Sequence, residues 1–218
     1  MKQELLAVGI TAINAIKVVY CGINTDFFSP TNNIKTTTPY TFLQVSGLTA
    51  KKGHTYTLQA FAKFQQRNPT LLAKLIIAGK DFLNGAVHSF AKENNLLHNV
   101  EFIGEVNAEQ IKTLMQQANC FVHHSVTSIQ NDKEGIPTVL MEAMAMDLPV
   151  ISSLHAGIPE LITDKQNGLL VPEKDIDAYV NAMQAMATEQ YNFTPRASML
   201  DKFSLTNHIH TLTQLYSS

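Results

Sequence analysis

DKEGIPTVLMEAMAMDLP, Asp132 to Pro149, contains an apolar run from Val139 to Met146 broken only by Glu142. Pro137 suits the first turn of a helix, where its missing N–H costs nothing and its φ is already helical. A helix is therefore expected from Pro137 to about Met146, stopped by Asp147 and Pro149. A helix apolar nearly all round is buried on most of its circumference, which leaves Glu142 out of place. A buried carboxylate needs a hydrogen-bonding partner or a shifted pKa, and a ligand hydroxyl would serve. Glu134 precedes the helix, and the N–H groups of Thr138, Val139 and Leu140 point forward from its positive end, an arrangement that holds phosphate. Two carboxylates flanking an anion site suit a ligand with both hydroxyls and phosphate, such as a sugar nucleotide. A core helix whose Glu142 caps a neighbouring backbone group, with Glu134 merely solvated, fits the same residues, because structural networks also hold perturbed carboxylates.

Around this helix, from Tyr40 onward, short apolar runs alternate with helical stretches, the pattern of a parallel sheet with helices on both faces. Strands are expected near Thr41 to Val45, Ala73 to Ala78, Val100 to Ile103, Cys120 to His123, Pro149 to Ser152 and Gly168 to Val171. Helices should run from Lys52 to Gln66, Phe82 to Asn94, Asn107 to Gln117, Ile158 to Leu161 and Asp175 to Thr188. The tail adds TPRAS as a helix start and FSLTNHIHTLTQLY as an amphipathic helix. In such a sheet ligands sit beyond the strands' carboxyl ends, so the loops there are where chemistry belongs. SGLTAKKGH, Ser46 to His54, is the first of these loops. Gly47 and Gly53 permit close backbone approach, and Lys51 and Lys52 form either a phosphate clamp or a solvated pair beside turn glycines. His123 and His124, adjacent on a strand, point to opposite faces, which argues against a shared metal.

EGIPTVLMEAMA resembles the E-x7-E signature of glycosyltransferase family 4, retaining enzymes of the GT-B fold. The wider run from Ser125 to Asp175 is similar to the exopolysaccharide, colanic-acid-type members. The likeness covers Tyr40 to about Lys174 and implies a Rossmann-like α/β domain, the carboxy-terminal half of a GT-B fold, that binds a nucleotide-diphosphate sugar without a metal or other cofactor. Residue by residue, it implies that Glu134 holds the donor sugar's hydroxyls and Glu142 the ribose. Lys52 and the amides of Thr138, Val139 and Leu140 would hold the diphosphate, with Gly135 and Ile136 lining the sugar side. SGLTAKKGH resembles the family's G-R-L-x-x-x-K-G element with Gly47 at the Arg position, a departure that removes a bidentate cation from the leaving diphosphate. IAGKD, with Gly79, resembles the turn lining the nucleotide pocket. FIGEV resembles the segment whose backbone at Gly104, Glu105 and Val106 reads the base. His155 matches a His common in the exopolysaccharide branch and is read as loop structure.

The chain has 218 residues, 45% hydrophobic and 16% charged, enough for a full core. A net charge of −2 gives no basic footprint, so nucleic acid is not an expected partner. Cys21 and Cys120 stand alone, the pattern of a reducing cytoplasm. No apolar run reaches the length of a membrane span, so membrane contact should be peripheral at most. LLAVGITAINAI, near the amino end, is interrupted by Asn14 and lacks a cleavage site, against a signal peptide. A helix from about Gln3 to Asn14 and a strand KVVYC are expected there, and VVYCGINTDFFSP resembles the end of the family's amino-terminal domain, with residues 29–39 as linker. Residues 1–39 are thus read as remnant and linker, and 40–218 as the donor-binding domain. A glycan or lipid-linked acceptor would be held by a separate amino-terminal domain, making the chain a fragment, a truncated gene product or one subunit of a split glycosyltransferase. A non-catalytic nucleotide-sugar binding module is the alternative.

Overall fold

The computed structural model describes residue 9 and residues 16–30, 38–189 and 191–217. Its centre is a six-stranded parallel sheet, made of β1 (Tyr40–Val45), β2 (Ala73–Ala78), β3 (Val100–Gly104), β4 (Cys120–His123), β5 (Val150–Ser153) and β6 (Leu169–Val171) in the order β3-β2-β1-β4-β5-β6. The strands are short and mostly apolar because both faces of the sheet are covered, except at the edge strand β3, where Glu101 and Ile103 are exposed. β1 pairs along its whole length with β2, from Tyr40 opposite Ala73 to Val45 opposite Ala78, and through Phe42 and Leu43 with β4.

Helices α1 (His54–Arg67), α2 (Ala86–Glu93) and α6 (Ile176–Thr188) cover one face, with Phe61, Phe64, Tyr179 and Met183 packed against Phe42 and Leu75. Helices α3 (Ala108–Gln117), α4 (Thr138–Ala145), α5 (Ile158–Leu161) and α7 (Pro195–Phe203) cover the other around Leu43, Phe121 and Val150. α8 (Leu205–Ser217) follows, with no buried residue. The expected bounds of β2, β4 and α5 are those observed. α2 starts later than Phe82 because the Asp81 carboxylate accepts the amides of Leu83 (2.7 Å) and Gly85 (2.5 Å), folding that stretch into a turn. Likewise Ala50–Lys52 form a separate 3-10 turn before α1, so Lys52 precedes the helix instead of starting it.

The expected helix from Gln3 to Asn14 lies outside the described residues, apart from Gly9. The expected strand KVVYC is not one: residues 17–21 have no regular structure, and the first bridge is Ile23 with Ser204. Arg196 holds the piece that follows. Its guanidinium donates to the carbonyls of Phe28 (2.9 Å), Thr25 (3.0 Å) and Ala145 (2.5 Å), joining the segment before the sheet to α4.

Gly53 shows how tightly the loops at the carboxyl edge fit. Its φ of 62° is left-handed, and a Cβ there would lie 1.9 Å from the carbonyl oxygen of His124. Gly53→Ala is expected to cost about 3 kcal/mol or more. Gly85→Ala, at φ 82° with nothing nearby, should cost only about 1 kcal/mol. Urea midpoints for both variants check this, and equal losses would show that the His124 contact does not matter.

Candidate functional site

β1 and β4 are neighbours in space although β2 and β3 separate them in sequence, so the loops after β1 and β4 diverge and leave a crevice between them. The loop after β1 brings Lys52 there, with the Lys52 carbonyl held by Gln44 Nε2 at 3.0 Å. The loop after β4 brings Glu134, and the two side chains are joined as an ion pair. At 17% and 14% exposure this pair is largely shielded from water, unlike Lys51 with Asp132 (3.0 Å) beside it. Ser125 Oγ donates to the other Glu134 oxygen at 3.0 Å, and His123 Nε2 lies 3.5 Å from that oxygen. Burial pushes the Glu134 carboxyl up, but His123 and Lys52 outweigh it and hold the group at about 2. His123 is itself fully buried, and burial lowers its pKa, so Lys52 is the full positive charge that Glu134 meets at neutral pH.

His124 turns to the opposite face, stacked on Tyr179 with centroids 4.7 Å apart, and its Nε2 accepts the Lys174 amide at 3.0 Å. His54 sits under the crevice, 3.2 Å from Ser46 Oγ. Burial brings His54 down to about 3 and His124 to about 4. Among the described residues no group of three or more His, Cys, Asp or Glu is arranged to hold a metal ion.

α4 departs from expectation in three ways. Pro137 is its cap, with ψ 125°, and not a first-turn residue. The Leu140 amide is not free, because it donates to the Pro137 carbonyl at 3.0 Å and its side chain is buried. Thr138 and Val139 keep first-turn amides without intrahelical acceptors. The helix is also not buried all round: Thr138 is exposed, and Val139 and Glu142 are half-buried beside it on one stripe. Glu142 therefore needs no internal partner. Its side chain makes no hydrogen bond or ion pair among the described residues, and burial raises its pKa.

Elsewhere Gly135 and Ile136 border a cleft of about 1190 Å³ that Tyr20, Lys133, Glu134, His155 and Glu173 also line. At Gly47, a Cβ would lie 3.1 Å from the exposed Phe82 ring, so Phe82 covers the place where a longer side chain would leave the loop. Gly79 closes against the end of β1, where a Cβ would lie 1.9 Å from the Ser46 carbonyl. Its amide takes the Gly104 carbonyl at 2.7 Å, which removes one backbone group expected to read a base. Glu105 is exposed and Val106 packs against the core, two strands from β1.

His155, expected as loop structure, joins the site, and so do Ser125, Glu173 and the Lys52–Glu134 pair, none of which the sequence marks. His155 is 1% exposed; its Nε2 accepts the Glu134 amide at 3.0 Å and its Nδ1 faces Glu173 Oε1 at 2.6 Å. Partners so distant along the chain leave no local signal.

Residues 26–202 match the family described as glycosyl transferases group 1. The chain is 32% identical to the amylovoran biosynthesis glycosyltransferase AmsK of Erwinia amylovora, over 89% of this chain and 47% of that protein. It is also 32% identical to WcaL of Escherichia coli, a colanic acid biosynthesis glycosyltransferase by name, over 79% of this chain and 42% of that one. The chain thus spans less than half the length of these relatives. The structure of Anabaena HepE, in complex with UDP and glucose, superposes with a TM-score of 0.79 at 20% identity, covering 100% of this chain and 60% of that one.

Proposed function

The chain belongs to the glycosyl transferases group 1 family, and from that premise we propose that it is the donor-binding half of a retaining glycosyltransferase that takes a nucleotide-diphosphate sugar and builds a polysaccharide or lipid-linked glycan. The observation that carries this reading is the meeting of Glu134 and Lys52, both shielded from water, at the divergence of the β1 and β4 loops. The likeness to HepE, which binds UDP and glucose, supports the ligand class, and the names of AmsK and WcaL support the exopolysaccharide product.

In this reading Lys52 and the first-turn amides of Thr138 and Val139 neutralise the leaving diphosphate in place of a metal ion. Glu134, kept ionised, accepts hydrogen bonds from the donor sugar's hydroxyls, and Glu142 takes the ribose hydroxyls. Gly135 and Ile136 border the sugar. The acceptor is bound by a separate amino-terminal domain across the cleft. A non-catalytic binding module is the second reading, favoured by Gly47 and the Phe82 ring that covers it.

Titration calorimetry with UDP and GDP tests the site, which should bind at least one of them in the millimolar range or tighter. Glu142→Ala should weaken the nucleoside diphosphate about tenfold, the loss of one or two hydrogen bonds to a charged group. Glu134→Ala should weaken only the sugar-bearing ligand. Equal effects of Glu134→Ala on UDP and on UDP-sugar would refute that division of roles.

A further inference from the structure

We infer that His155, oriented by Glu173, is a positioning residue that keeps Glu134 in place when Lys52 exchanges it for the donor diphosphate. The inference rests on the donor-site reading above. With no ligand bound, the strongest partner of Glu134 is Lys52. A diphosphate arriving at the same loop competes for that ammonium, because a doubly charged anion outweighs one carboxylate. Glu134 then loses its cation while remaining an ionised group at 14% exposure, and whatever else touches it decides where it points.

Besides His123 Nε2, 3.5 Å from one carboxylate oxygen, two contacts remain. Ser125 Oγ holds one carboxylate oxygen at 3.0 Å, and the Ser125 carbonyl is tied to Ser153 Oγ at 2.6 Å. His155 holds the backbone, its Nε2 accepting the Glu134 N–H at 3.0 Å. A nitrogen that accepts carries no proton, so the imidazole is neutral with its proton on Nδ1, facing Glu173 Oε1 at 2.6 Å. The second Glu173 oxygen takes the Thr127 amide at 2.9 Å. The pair therefore ties the loop after β4 at Thr127 and again at Glu134. The intervening stretch carries the fully exposed Ile129 and is anchored to the neighbouring loop by Asp132. Fastened at both ends, that stretch can shift as Lys51 and Lys52 change partners without carrying Glu134 along.

Glu173→Gln isolates the device with almost no change of shape. Its amide group can satisfy the Thr127 N–H only by turning its NH2 toward Nδ1, which drives the proton to Nε2 and opposes the Glu134 N–H. Amide hydrogen exchange should show Glu134 exchanging at least about tenfold faster in both His155→Ala and Glu173→Gln, with β5 amides unchanged. Calorimetry with the pairs UDP and UDP-glucose, GDP and GDP-mannose should show the sugar-bearing member weakened about tenfold and the sugar-free member within about twofold. Equal losses on both members, or unchanged exchange at Glu134, would overturn the inference. If the wild type binds none of the four, the donor-site reading falls and the partner exchange with it, while the exchange rate at Glu134 still decides whether His155 holds that amide.

Discussion

Between pH 7 and pH 5 the protein is expected to lose several kcal/mol of stability through its buried histidines. His54 and His124 are buried without compensating anions in contact, and burial holds their folded-state values at about 3 and about 4. In the unfolded chain each returns to about 6.5. As pH falls below that value the unfolded state binds protons that the folded state refuses, so stability falls with pH. Their contribution is complete above about pH 6.5 and is lost progressively down to the folded values. From pH 7 to pH 5 each histidine removes about 2 kcal/mol, and His123, lowered in the same direction, adds to the loss. About 4 kcal/mol from His54 and His124 alone is a large part of the whole stability of an ordinary domain. Glu134 acts in a separate window: its stabilising effect is present above the usual carboxylate value and is lost as pH falls through about 2. Urea unfolding at pH 7, 6 and 5 should give a slope approaching uptake of at least two protons, and His124→Gln should reduce it by about one. A pH-independent midpoint over that range would mean that these rings are hydrated or paired in solution.

The second large effect concerns turnover. Transfer requires the acceptor oxygen, the anomeric carbon and the leaving phosphate to be held together away from water, and such positioning supplies a large part of an enzyme's rate. In the proposal above the crevice between the β1 and β4 loops holds the donor alone, and the chain spans less than half the length of AmsK and WcaL. The 218-residue chain alone is therefore expected to transfer no sugar to a polysaccharide or lipid acceptor, with slow donor hydrolysis as the most it shows. An amino-terminal acceptor domain added in trans should restore transfer. In that reconstituted enzyme Glu134→Ala should lower kcat/KM at least about a hundredfold if, as proposed, the carboxylate holds the reacting sugar. Radiolabelled donor with product separation reads both outcomes. Robust transfer by the lone chain would eliminate the half-enzyme proposal, and full activity of the Glu134→Ala pair would remove Glu134 from the chemistry.

Periodicity and turn residues by themselves determined the alternation of strands and helices, the helix after Pro137 and the parallel sheet, because these depend on neighbours a few residues apart. The sequence also placed Lys51, Lys52 and Glu134 in the loops after β1 and β4, where the structure has them. Only the tertiary structure decided which of those residues meet. Strand order brings β4 back beside β1 after two intervening strands, and that crossover sets Lys52 against Glu134 and His123 behind them. The same holds for Glu142, which looked buried on an apolar helix and lies half-buried on its open stripe. Which side of a helix faces a sheet is set by how that helix packs, not by its composition. His155 and Glu173 carried no local signal because their partners are 18 to 46 residues away, a separation that β5, β6 and their loops close only once the sheet has formed.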